Sequence, residues 1–350
     1  VRKIIILVAV AAQLAVLAFM AAEREWVLRT GQSVLLRTAP VDPNDPMRGD
    51  YVRFNYEIAT IPKNLCRDAV RTWFEKTNYT YDRSLRDRRV YATIKLDHTG
   101  VAEVVSLSDR PPSEGLYLRA RVQEVSTHTI RVRFGAEALF MQQGKAKQFE
   151  DLVRGEKQGV PLNIEVAVSP GGLSTIKGYR WEPFGITLVM DRAPVPPNSN
   201  PQTPRPGLRG VTVQLKNHSD APVAVLASDD ARFFRLVSAR EFLDDEGAHH
   251  WEWTRVAAEE ASARADEVKV LQPGEVQRIH LDFSSPAWFV QKGAEGPPTS
   301  ITTLNQEWSA SFRIEYAPPS AEACTGLPHA DLIRHARLRS RMFSAAGGVD

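Results

Sequence analysis

Cysteine is almost missing from this chain: Cys66 and Cys324 are the only two in 350 residues. No Cys-x-x-Cys spacing exists, so neither a zinc site nor a thioredoxin-like motif is suggested. The two fall in regions read below as different domains, and two buried free thiols are expected rather than a disulfide. An excess of either charge is missing too. Lys plus Arg number 44 and Asp plus Glu 42, a net charge of +2. That balance argues against nucleic acid as the main partner, because phosphate binding needs a clear basic surplus. Recognisable catalytic signatures are absent: there is no His-Glu-x-x-His, Gly-x-Ser-x-Gly or phosphate-loop pattern. Of the eight histidines only His249 and His250 adjoin. Neighbours on a strand point to opposite faces, so that pair does not readily share a metal. No cofactor and no metal site are expected.

What is present begins at the N-terminus. Arg2 and Lys3 precede a run of 19 uncharged residues, Ile4 to Ala22. As a helix this run is about 30 Å long, the thickness of a bilayer core. Gln13 is its only strongly polar member, and Glu23-Arg24-Glu25-Trp26 follows. The basic flank places the N-terminus in the cytoplasm, and Trp26 suits the far interface. Residues 1–26 therefore read as a signal anchor, a single-pass transmembrane helix of the cytoplasmic membrane, with the rest in the periplasm or outside. A cleaved signal peptide is the alternative. Its apolar core is shorter, about 7–15 residues, but Ala21 and Ala22 offer small residues of the cleavage type.

Beyond the anchor the pattern is mainly β. Val52, Phe54, Tyr56 and Ile58 alternate with polar residues, as do Val90 to Leu96, Leu116 to Val122, Ile130 to Phe134 and Leu162 to Val168. A period of two marks half-buried antiparallel strands. Asp97-His98-Thr99-Gly100 and Pro170-Gly171-Gly172 are turn signals. A short helix is expected within Lys145 to Lys157, with Phe149, Leu152 and Val153 on one face. Asn64 to Arg89 reads as an insertion with a helical start. Between Asp191 and Gly207 six prolines preclude a regular helix or central strand, which predicts a stiff linker. The domains would then be 27–190 and 208–329, the second an immunoglobulin-like β-sandwich. Its strands include Val211 to Leu215, Ile279 to Phe283 and Trp308 to Tyr316. A helical, basic tail is expected over Ala330 to Phe343, carrying Arg334, Arg337, Arg339 and Arg341.

One segment stands apart. Ala39-Pro40-Val41-Asp42-Pro43-Asn44-Asp45-Pro46-Met47-Arg48 leads into Gly49-Asp50-Tyr51-Val52-Arg53-Phe54-Asn55-Tyr56. Gly49 can supply a backbone conformation closed to other residues, and Asp50 can accept backbone N–H bonds that lock a turn. Tyr51, Arg53 and Asn55 would face one way and Val52, Phe54 and Tyr56 the other. Two readings follow: a recognition loop beside a strand, or a rigid turn that sets strand register. The stretch resembles the bacterial GDYxxLxY family, with Phe54 in the leucine position. The resemblance covers about residues 1–185, including the anchor and the Leu36-to-Pro43 lead-in. It implies a membrane-associated protein without an assigned activity, often encoded with or fused to multi-pass membrane proteins. A multi-pass integral membrane partner is thus what the resemblance implies. The interaction candidates are Gly49, Asp50, Tyr51, Arg53, Phe54 and Tyr56.

Signal peptidases look similar around Met47 to Val52, but their serine lies eight residues before the glycine, where this chain has Val41. Without the hydroxyl no serine–lysine mechanism can run. Asp42, Asn44, Asp45 and Asp50 cluster oxygens, yet their spacing does not fit the EF-hand loop. A hydrolase using scattered carboxylates about 5–10 Å apart stays open. So does a carbohydrate-type ligand module with Trp251, Trp253, Trp288 and Trp308 facing solvent. The favoured reading is a non-catalytic accessory subunit of a membrane complex.

Overall fold

The computed structural model describes residues 2–39, 51–76, 85–97, 99–126, 129–142, 144–155, 157, 159–192, 207–238, 251–255, 262–293, 296–304 and 310–345. The described chain is mostly β, and contacts divide it into two units. The first holds residues 1–146 and 162–180, the second 147–161 and 181–350.

The first unit opens with helix α1 (Arg2–Thr30), followed by β1 (Gln32–Arg37) and β2 (Tyr51–Arg53). Next come β3 (Thr60–Pro62), α2 (Asp68–Lys76), β4 (Arg89–Leu96), β5 (Ala102–Ser108), β6 (Tyr117–Val125), β7 (Thr129–Arg133) and β8 (Ala138–Phe140). Then follow β9 (Leu162–Val168) and β10 (Ser174–Trp181), while α3 (Lys145–Arg154), between β8 and β9 in the chain, lies almost wholly in the second unit. Helix α1 is long and apolar enough to cross a membrane. Its apolar stretch lies exposed, while Val27, near its end, is buried. The helix continues past Ala22 to Thr30, where Arg29 pairs with Glu25 one turn back at 2.7 Å.

Two main sheets complete this unit. One has the order β1-β9-β10, the other β3-β7-β6-β4-β5, and β2 with β8 forms a separate ribbon. Val90, Ala92 and Ile94 of β4, Leu118, Ala120 and Val122 of β6, and Ile130 and Val132 of β7 point into the core. The alternation that marked these strands is therefore the alternation of burial. In β9 even Asn163 and Ala167 are buried, so this strand is covered on both faces. The Asp97 turn is held by its carboxylate, which accepts from the Thr99 and Val101 N–H groups at 2.8 and 2.9 Å.

The second unit contains β11 (Phe184–Arg192), β12 (Leu208–Asn217), β13 (Val223–Leu226), β14 (Phe234–Ser238) and β15 (Trp251–Trp253). It continues with β16 (Val268–Leu271), β17 (Val276–Asp282), β18 (Val290–Lys292), β19 (Ser311–Tyr316), β20 (Leu338–Arg339) and β21 (Phe343–Ser344). Its antiparallel sheets are β11-β12-β17, β13-β16, β15-β18, and β14-β19 with β20 and β21 added to β19. They surround one apolar core rich in Phe184, Phe234, Phe283, Phe312 and Tyr316, in agreement with a sandwich. Tyr316 sits at its centre, with its phenol oxygen accepting the Leu226 N–H at 2.8 Å.

Three expectations need correction. The expected domain boundary at 191–207 falls inside the second unit, because β11 pairs with β12 from Phe184↔Asn217 to Arg192↔Leu208. The prolines connect two partnered strands; residues 193–206 themselves lie outside the described residues. Residues 147–161 also join the second unit, where Phe149 stacks on Trp181 at 5.8 Å and the Ile186 N–H reaches the Gly159 carbonyl at 2.9 Å. Lastly, the tail is not a helix. Ala336, Leu338 and Ser340 alternate with Arg337 and Arg339 in burial, and β20 and β21 pair along β19. Pairing a free strand edge satisfies backbone groups that a terminal helix would leave beside it, and this outweighs helix propensity.

Candidate functional site

The Gly-Asp-Tyr segment enters the described structure at Tyr51. Gly49 and Asp50 lie outside the described residues, together with the Asp42 to Asp45 oxygens, and so do His249, His250 and Trp308. Strand β2 pairs antiparallel with β8: Tyr51 stands opposite Phe140, Val52 opposite Leu139 and Arg53 opposite Ala138. The strand stops after Arg53, earlier than the alternation to Ile58 suggested, and residues Glu57–Ala59 form a single 3-10 turn. The backbone between stays extended and anchored, with the Phe54 N–H on the Glu137 carbonyl at 2.7 Å and the Ala39 N–H on the Asn55 carbonyl at 2.8 Å.

Burial splits the motif in two. Val52, Phe54 and Tyr56 are buried, while Arg53 and Asn55 are exposed. Phe54 fills its pocket completely at 0% exposure, so an aromatic ring occupies the place of the leucine. The Tyr56 hydroxyl donates to the Ala136 carbonyl, and its ring lies 6.4 Å from that of Phe134. Burial, reinforced by the nearby Glu137 carboxylate, raises its pKa far above the ordinary phenol value, so it remains a donor at any physiological pH. Glu137 in turn accepts from the Phe134 and Gly135 N–H groups. Tyr56 and Glu137 thus fasten the turn from Phe134 to Glu137, and that turn positions β8 against β2.

The exposed part includes Arg53 on β2 and Phe140 on β8, the latter 80% exposed. Sequence reasoning missed Phe140, since β8 is only three residues long and carries no alternation. The lead-in also contributes. Arg37 and Thr38 are buried, and Thr38 bonds the Leu162 carbonyl through both its N–H at 2.9 Å and its hydroxyl at 3.0 Å.

Residues 13–178 match the GDYXXLXY protein family. The motif and its resemblance thereby rest on a match that begins inside α1 and ends inside β10. No curated protein and no solved structure matches the chain. Most of the second unit lies beyond the family segment, apart from residues 147–161.

Elsewhere Trp251, Trp253 and Trp288 do not form a solvent-facing platform. Trp251 and Trp288 are buried, and Trp253 stacks on Trp288 at 5.7 Å while its Nε1 donates to the Ala287 carbonyl at 3.0 Å. Cys66 and Cys324 are buried free thiols, and burial pushes the Cys66 thiol up to about 12. Among the described residues no three His, Cys, Asp or Glu side chains converge as a metal-ligand set.

Proposed function

We propose that this protein is a single-pass, membrane-anchored accessory subunit whose first unit contacts a multi-pass integral membrane protein. The membrane is the cytoplasmic one, with Arg2 and Lys3 on the cytoplasmic side and both units outside it. The observation that carries this reading is the junction of α1 with the sheet. Arg24, two residues past the apolar run, donates to the Ser174 carbonyl at 3.2 Å and the Thr175 hydroxyl at 3.3 Å. Val27 is buried, and a Cβ at Gly31 would meet the Val27 carbonyl at 2.5 Å and the Val168 nitrogen at 3.0 Å. The helix therefore enters the sheet without a flexible link. That holds the first unit within two helical turns of the bilayer, about 12 Å. The extramembrane loops of an integral protein lie within that reach. The β2–β8 ribbon supplies the contact, since an exposed phenylalanine beside an exposed arginine is interface composition.

Isolation of the full chain from its native membrane in mild detergent tests this. A multi-pass protein in fixed ratio to the chain is expected. Phe140→Ala and Arg53→Ala should release it without lowering the thermal midpoint, whereas Tyr56→Ala would disturb the fold and is uninformative. A chain that emerges alone from repeated gentle preparations overturns the reading and turns attention to hydrolytic activity.

A further inference from the structure

The outer face of the five-stranded sheet carries an unusual row of cations. Arg89 of β4 stands directly opposite Arg121 of β6, and Arg121 directly opposite Arg133 of β7. Arg119 and Arg131 lie two residues along from Arg121 and Arg133, and all five are exposed. Like charges in facing positions, about 5 Å apart, oppose sheet formation. Two acids accompany them. Asp87 pairs its carboxylate with Arg133, and its carbonyl accepts from Arg121 Nη1 at 2.9 Å. Glu124 faces Arg131 in the register without a bond to it. Among the described residues Arg89, Arg119 and Arg131 make no ion pair. The face therefore holds more positive charge than its own carboxylates neutralise, in a chain whose overall charge is balanced.

Its location gives the excess a purpose. The Arg119 N–H bonds the Gly172 carbonyl at 2.7 Å, and the Tyr117 ring packs so tightly on Gly172 that a Cβ there would lie 2.6 Å from it. Two residues further along is Ser174, whose carbonyl holds Arg24 at the end of the membrane run. Two residues of chain span at most about 7 Å. The N-terminal end of β6 is thus placed near the headgroup layer. Tyr91 and Tyr117, edge to face at 5.8 Å and half-buried on the same sheet face, are side chains suited to that layer.

We infer that this face binds anionic phospholipid headgroups of the membrane in which α1 is anchored, with Arg119, Arg121 and Arg89 as the principal phosphate donors. Forked guanidinium groups match phosphate oxygens, and each basic group near an anionic surface adds to the attraction. The face would press the first unit onto the bilayer, independently of any protein partner.

The test uses the full chain alone in nanodiscs, so a failure here is separate from a failure to find a partner. Arginine modification by phenylglyoxal is followed residue by residue by peptide mass. In discs with roughly one-third phosphatidylglycerol, Arg119, Arg121 and Arg89 should react at least about threefold more slowly than in pure phosphatidylcholine, and about 0.5 M salt should restore the rate. Arg209 and Arg278, exposed in the second unit, are the internal reference. Equal rates in both discs overturn the proposal. Equal slowing by inorganic phosphate in phosphatidylcholine discs overturns it as well, because the ligand would then be a free anion rather than a surface.

Discussion

Two groups of arginines, one in each unit, are placed in opposite ways. In the second, Arg232 and Arg264 converge on Glu267, which is 3% exposed, with Arg264 Nη2 at 3.0 Å and the Arg264 N–H at 2.8 Å. Arg339 likewise lies on Glu315, itself buried, at 2.7 Å. In the first, arginines stand in a row on an open sheet face with only Asp87 and Glu124 among them. Paired, buried charge specifies a fold, and its loss leaves a desolvated ion. Unpaired, exposed charge adds nothing to the fold and is available to something outside it. The difference assigns the buried arginine–glutamate pairs of the second unit to stability and the open arginine row of the first unit to contact.

The largest test of this comparison is a control on the core. Phe54→Ala should cost about 3–5 kcal/mol, the ordinary penalty for emptying a buried phenylalanine site. Amide exchange should show the loss confined to the first unit. Next, Glu267→Ala should cost about 3 kcal/mol, since the largely buried Arg232 is left with only the distant, exposed Asp230 carboxylate at 3.7 Å. Here exchange should rise in the second unit alone. Smaller still, Arg121→Gln should shift stability by less than about 0.5 kcal/mol, and upward if at all, because it relieves facing charges. A loss of more than 1 kcal/mol, on the scale of an ordinary structural side chain, would break the comparison.

The weakest effect is a pH dependence. A hydrogen bond from Ser33 and the nearby Lys177 hold the Glu165 carboxyl below its usual range. A lowered folded-state pKa adds stability above the unfolded value of about 4.3, and that stability is lost as pH falls through the folded value. Replacing Glu165 with Gln should therefore lower stability slightly at neutral pH, leave it nearly unchanged below the folded-state pKa, and so flatten the acid limb of the stability curve.

Much of the first unit could be read from alternation. Val90 to Ile94, Leu118 to Val122 and Ile130 to Val132 show period two because one face is buried, and that physics leaves its mark in the sequence. The same reasoning sorted Val52, Phe54 and Tyr56 from Arg53 and Asn55 correctly. It extended the strand too far, because an extended backbone buries alternate residues whether or not a partner strand is present. The proline run was misleading for a different reason. Prolines report what a segment cannot form, and say nothing about which strands its two ends join. The tail carried its own warning in Arg337, Arg339 and Arg341, spaced by two. Four arginines beside scattered aliphatics suggested a helix face, and only the free edge of β19 decides otherwise. The arginine row was invisible, since facing positions depend on register between strands that sequence spacing does not fix. Phe140 was missed because three residues hold no period.

The central claim, that α1 holds the first unit on the bilayer surface, is most directly tested by depth. Because Cys66 and Cys324 are buried, a cysteine introduced at exposed Pro170 in the turn between β9 and β10 would take a nitroxide label selectively. The full chain would be placed in nanodiscs, and relaxation compared between a headgroup-attached nickel chelate and one free in water. The account predicts strong relaxation by the headgroup-attached metal, with the label within about 15 Å of the phosphate plane. A label relaxed only by the free chelate would contradict it.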